Sequence, residues 1–151
     1  MQVKDIMHAD VKVAAPSDTF AKVAGQLHAH AISSVVVMDG DRLAGIVTER
    51  DLVNLVAEGG DPQTTTVAER MTTSVDTVPS RTDIAEAAEH MARLRFRHLP
   101  VVDDGALVGI ISIRDLTNWA VDEVTSGHEL PDLERSHTAL SAAAEINRAA
   151  Q

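Results

Sequence analysis

The sequence predicts an α/β fold: two copies of one β-α-β-β-α unit, followed by a C-terminal helix. Three observations carry this. Shifting the chain by 64 residues lays Ile32–Leu52 over Phe96–Leu116, with identity at Val37/Val101, Asp39/Asp103, Leu43/Leu107, Gly45/Gly109, Ile46/Ile110, Arg50/Arg114, Asp51/Asp115 and Leu52/Leu116. Average residue usage would give about one or two such matches. Within each copy, segments with apolar residues at i, i+3, i+4 and i+7 alternate with short β-branched runs. Two of those runs are separated by a turn dipeptide, as in a hairpin.

The same shift matches Val3/Val67, Met7/Met71, Ala21/Ala85, Ala24/Ala88 and Asn54/Asn118, and slips by one near Pro16 and Pro79. Each copy opens with a short extended piece, Val11–Val13 or Val75–Val78, running into a Pro-Ser turn. In the first copy Ser17 or Asp18 is expected to cap a helix bearing Phe20, Val23, Ala24 and Leu27. The second-copy helix carries Ile84, Ala87, Ala88, Met91 and Leu94, and Ala85 and Ala92 widen its stripe, as for a helix buried on two sides. Strands Val35–Asp39 and Leu99–Asp103 are nearly all apolar, so both faces should be covered. Gly40-Asp41 and Asp104-Gly105 then turn the chain into second strands, Leu43–Val47 and Leu107–Ile111.

Helices Glu49–Ala57 and Ile113–Val124 close the copies, the first stopped by Gly59-Gly60. Asp61–Thr66 links the copies. Gly127 and Pro131 break the chain, and Pro131–Ala150 reads as one more helix with Leu133, Leu140 and Ala144 near one face, and Ile146 or Asn147 beside them. Its thin stripe fits docking, a dimer contact or a frayed tail. The expected division is 1–60 for the first motif, 61–124 for the second and 125–151 for a partly helical tail.

Composition bounds the function. The 151 residues include 13 basic and 23 acidic side chains, a net charge of −10. That field repels nucleic acid and anionic membranes, whose binding depends on Lys and Arg releasing counterions. Phe20, Phe96 and Trp119 are too few to stack bases. Cysteine is absent, which removes disulfides, thiolate metal sites and a cysteine nucleophile. No stretch approaches the ~18 apolar residues of a membrane span, and Met1–Asp10 lacks the apolar core of a signal peptide. A cytoplasmic protein binding neither nucleic acid nor membrane is expected.

The strings with chemical content are Gly45-Ile46-Val47-Thr48-Glu49-Arg50-Asp51 and Gly109-Ile110-Ile111-Ser112-Ile113-Arg114-Asp115. Each places a hydroxyl, and a carboxylate three residues on, where a buried strand turns into a helix. The plainest account is a capping box, which contributes on the order of 1 kcal/mol. The same geometry suits a ligand: free N–H groups and the positive dipole end hold a phosphate, while the aspartate accepts hydrogen bonds from a ribose diol.

Two copies ending in glycine–aliphatic–aliphatic–Thr/Ser–x–x–Asp, with Met7/Met71 in the opening segment and a terminal Arg-Asp-Leu, resemble tandem cystathionine-β-synthase-type (CBS) domains, the Bateman module. The resemblance spans about Val3 to Trp119. It implies two β-α-β-β-α motifs packed with pseudo-twofold symmetry, leaving two inter-motif clefts that hold adenosine-containing ligands such as AMP, ADP, ATP or S-adenosylmethionine. Thr48 and Ser112 would contact phosphate, and Asp51 and Asp115 the ribose, with Arg50 and Arg114 beside them. Adenine-lining backbone would come from Ser74, Val75 and Thr77 at the first site and from Val11, Lys12 and Val13 at the second. The resemblance also implies a homodimer.

Arg97-His98 precedes the second copy's first strand where the first copy has Ser33-Ser34. In the family such a basic pair reaches ligand phosphates, and an arginine can do so bidentately. The Ser112/Asp115 site is therefore expected to bind phosphate more tightly. A solvated basic edge is the plain alternative. His28-x-His30 and Glu86-x-x-x-His90 have metal-ligand spacing but lack a third ligand, so no metal is expected. No phosphate loop, Ser/His/Asp grouping or paired catalytic acids stand in a recognisable context, so no catalysis and no required cofactor are expected. The expected function is a stand-alone sensor of adenosine compounds that signals to a separate effector protein. The alternative is a structural or oligomerisation domain with vestigial clefts. A nucleotide-modifying enzyme ranks third, and nucleic-acid binding through Arg93–His98 last.

Overall fold

A computed structural model of the chain describes residues 1–126 and 130–149. They form two compact units, one of Asp10–Val75 and one of Met1–Ala9 with Asp76–Gln151.

The first of these contains β1 (Val13–Ala14), α1 (Phe20–His30), β2 (Ser34–Asp39), β3 (Arg42–Thr48) and α2 (Glu49–Ala57). The sheet runs β1-β2-β3, with β1 parallel and β3 antiparallel to β2. The β-branched run Val35–Val37 is fully buried, as its lack of alternation requires. Gly40 supplies the left-handed residue of the hairpin turn, with φ at 59°. The cap of α1 is Thr19, whose hydroxyl accepts from the Lys22 N–H at 3.3 Å, and not Ser17 or Asp18. Asp18 is spent instead on the Ala15 N–H at 2.8 Å and the Lys22 ammonium at 2.7 Å. The parallel strand is Val13–Ala14, displaced from the expected Val11–Val13 because the ladder pairs Val13 with Val36 and Ala14 with Val37.

The other unit contains α3 (Ile84–Leu94), β4 (His98–Asp103), β5 (Ala106–Ser112), α4 (Ile113–Ser126) and α5 (Leu130–Ala149). Asp104 and Gly105 have φ of 50° and 83°, the pair of left-handed residues that closes a two-residue hairpin. The extended piece expected at Val75–Val78 is reduced to a single parallel bridge from Val78 to Val101. Asp83 caps α3 through the Ala85 N–H at 3.0 Å. Ile84, Ala87, Ala88, Met91, Leu99, Val101, Ile111 and Leu116 are fully buried in this core.

These units divide the chain differently from the two sequence copies. The segment opening each copy packs with the other copy. The Val3 N–H donates to Thr82 O and the Lys4 N–H to Ser80 O, both at 2.9 Å. The Val67 N–H donates to Asp18 O at 2.8 Å and the Ala68 N–H to Pro16 O at 2.9 Å. Val3 and Val67 are both fully buried by these attachments.

The tail is docked within the second unit. α5 packs across α3 and α4, and Ala139, Ala142 and Ile146 enter their core. Ala144, expected on the buried face, is exposed, and Leu140 is half-buried. The true stripe is Ala139, Ala142, Ala143 and Ile146, whose alanines give little hydrophobic signal. Gly127, Ala150 and the side chains of Leu133 and Asn147 lie outside the described residues. Among the described residues no helix is long and apolar enough to cross a membrane.

Candidate ligand-binding sites

Both capping boxes form. β3 ends at Thr48 and α2 begins at once; the Asp51 carboxylate folds back so that Oδ2 accepts from the Thr48 N–H at 2.7 Å and the Thr48 hydroxyl at 3.0 Å. In the other copy Asp115 Oδ2 accepts from the Ser112 N–H at 2.7 Å and the Ser112 hydroxyl at 2.6 Å. The residue just before the neighbouring strand, β2 or β4, is tied in as well: the Glu49 N–H donates to Ser33 O at 3.1 Å and the Ile113 N–H to Arg97 O at 2.9 Å. Each aspartate is thus held by one oxygen at a helix N-terminus, where the dipole favours its charge.

The second oxygens differ. Asp51 Oδ1 has no hydrogen-bond partner among the described residues. Asp115 Oδ1 is engaged by His8 Nε2 at 3.0 Å, with the carboxylate side chain 14% exposed and the imidazole 67% exposed. His8 reaches this position because its backbone pairs with Ile110 in both directions, at 2.9 and 3.0 Å. Thr72 pairs with Ile46 in the same way in the other unit. Sequence reasoning missed His8. The only signal was its place after Met7, matching Thr72 after Met71 under the repeat shift.

His98 stands directly opposite Ser112 in the β4–β5 ladder, which puts both side chains on one face. Burial pushes its imidazole down to about 4, against the pull of the Asp115 carboxylate and with some help from Arg97 and Arg114. His98 is therefore neutral at pH 7. Positive charge beside Ser112 and Asp115 comes from the exposed Arg97 and Arg114 instead of a cationic Arg97-His98 pair. In the first copy the counterpart of His98 is the buried Ser34, opposite Thr48, and Arg50 is exposed.

The residues expected near adenine divide between the units. Val11, Lys12 and Val13 lie in the Asp10–Val75 unit, where Lys12 O accepts from the Val36 N–H at 3.2 Å and the Lys12 ammonium pairs with Asp10 at 2.7 Å. Ser74 and Val75 share that unit with Thr48 and Asp51, whereas Thr77 belongs to the other. Among the described residues no group of three or more His, Cys, Asp or Glu could hold a metal ion. His90 instead contacts Arg93 at 2.8 Å.

The family model of the CBS domain matches residues 3–58 and again residues 67–122. The chain belongs to the CBS domain family, as a tandem pair. One relative of this CBS pair is an uncharacterized protein of Methanopyrus kandleri, 34% identical over 119 residues, which are 77% of this chain and 61% of that protein. The chain therefore matches less than two thirds of that relative's length. A solved protein with CBS domains from Burkholderia ambifaria superimposes with a TM-score of 0.76 at 31% identity, covering 86% of this chain and 98% of that one. The CBS domain pair of protein MJ0100, solved in complex with 5′-methylthioadenosine and S-adenosyl-L-methionine, gives a TM-score of 0.72 at 28% identity, covering 78% of this chain and 98% of that one.

Proposed function

We propose that this CBS pair is a regulatory module that binds adenosine-containing ligands, AMP, ADP, ATP or S-adenosylmethionine, and passes its ligand state to a separate effector protein. The observation that carries the reading is the duplicated aspartate, pinned by one oxygen at a helix N-terminus. At Asp51 the other oxygen is left to accept a ribose hydroxyl. A hydrogen bond to such a charged acceptor contributes about 1.5–3 kcal/mol. The N-terminal ends of α2 and α4 favour a phosphate or another anionic group through the helix dipole, and such a group gains the Thr48 or Ser112 hydroxyl by drawing its proton away from Asp51 or Asp115. Arg97 and Arg114 add charge at the second site. The adenosine compounds bound by the MJ0100 pair support this ligand class. Signalling follows if the ligand binds one arrangement of the module more tightly than another, since only differential affinity shifts a population.

Titration calorimetry with AMP, ADP, ATP, S-adenosylmethionine and 5′-methylthioadenosine tests the reading. At least one adenosine compound should bind, and Asp51→Ala should weaken binding at its site by about tenfold or more. Binding that survives Asp51→Ala and Asp115→Ala together would remove the aspartates from the site.

A further inference from the structure

The two capping boxes consume the same carboxylate oxygen, so whatever distinguishes the sites must act on the other. At Asp115 that oxygen is held by an imidazole from a segment 107 positions away in the chain. His8 is anchored by its backbone pairing with Ile110 and by Met7 packed against Gly109, so the imidazole moves by side-chain rotation alone. It is far more exposed than the carboxylate it contacts, and so has solvent to swing into. In the other unit Thr72 has the same backbone anchorage, but its short side chain makes no hydrogen bond to Asp51.

We propose that His8 is a gate on the Asp115 site: its imidazole occupies the carboxylate oxygen that a ribose diol requires, an adenosine ligand must displace it, and the ungated Asp51 site fills first. This rests on the ligand reading above, and it names what makes the two sites unequal. It opposes the ranking expected from the basic residues near Asp115. Those residues attract phosphate, whereas His8 competes for the ribose contact, so the gate acts most plainly on ligands with little or no phosphate.

The test isolates each site in the whole chain. In an Asp51→Ala background, His8→Thr, which installs the residue found at position 72, should tighten 5′-methylthioadenosine binding about threefold to fivefold, the scale of one net hydrogen bond. In an Asp115→Ala background, Thr72→His should weaken binding at the Asp51 site by a similar factor. The contact is read independently of ligand by NMR of the His8 imidazole, whose resonances should shift in Asp115→Asn. Unchanged or weaker binding in His8→Thr overturns the gate while leaving the ligand reading intact. An imidazole indifferent to Asp115→Asn overturns it as well. No binding by the wild type or any variant overturns the ligand reading and the gate with it.

Discussion

Gly109 lies so close to Met7 that a β-carbon on it would stand 2.5 Å from the Met7 sulfur; Gly45 meets Met71 in the same way, at 2.7 Å. The motif glycine is therefore the seat for the segment that opens the other copy. That close approach lets the residue after each methionine, His8 or Thr72, pair with the strand one residue beyond the glycine.

Alanine at these positions should destabilise the fold, and unequally. A β-carbon at Gly45 would also stand 2.8 Å from Thr72 O, a backbone atom that cannot turn aside, whereas at Gly109 the nearest backbone atom is His8 O at 3.2 Å. Gly45→Ala should cost about 2–3 kcal/mol and Gly109→Ala about 1 kcal/mol, the range of overpacked cores. Urea unfolding measures both.

Stability should fall with acid before the ordinary carboxylates titrate. His98 is held down to about 4 by burial, against 6.5 for an ordinary histidine. Between those values the unfolded chain binds a proton that the folded chain refuses, so stability is full above pH 6.5 and declines as pH drops towards 4. The loss approaches about 3 kcal/mol at the lower end. Comparing urea midpoints at pH 7 and pH 5 shows it, and His98→Gln should flatten the difference. The Lys22 contact and the Ala15 N–H lower the Asp18 carboxyl, which places its contribution below this window.

The docked tail makes a further prediction. Ile146 is 4% exposed within the core shared by α3 and α4. Ile146→Ala should therefore cost about 2–4 kcal/mol, and Ala142→Asp should release α5. A freely frayed tail would leave thermal unfolding indifferent to both.

Much of this was legible because repetition and periodicity are local signals. The Val35–Val37 run, the Gly40 and Asp104-Gly105 turns and the Thr48/Asp51 and Ser112/Asp115 boxes stand in the sequence as they stand in the fold. The α1 cap was not, since Ser17, Asp18 and Thr19 are all capping residues and a turn at Ala15 claims Asp18. The packing face of α5 was hidden by its alanines. The exchange of opening segments and the His8 contact were invisible for a different reason. Both depend on residues far apart in the chain, and one sequence records similarity between copies, not which copy a segment packs against.

The central claim is that the two aspartates are ligand groups as well as caps, and thermal unfolding separates the roles. Asp51→Ala and Asp115→Ala should each lower the unliganded stability by about 1 kcal/mol through the lost cap. In the wild type, an adenosine compound at 100 times its dissociation constant should add about 2.7 kcal/mol, raising the midpoint by roughly 5–10 °C. The double variant should show no such rise. If AMP, ADP, ATP, S-adenosylmethionine and 5′-methylthioadenosine all leave the midpoint of ligand-free wild type unmoved, the aspartates are caps alone and the module serves assembly.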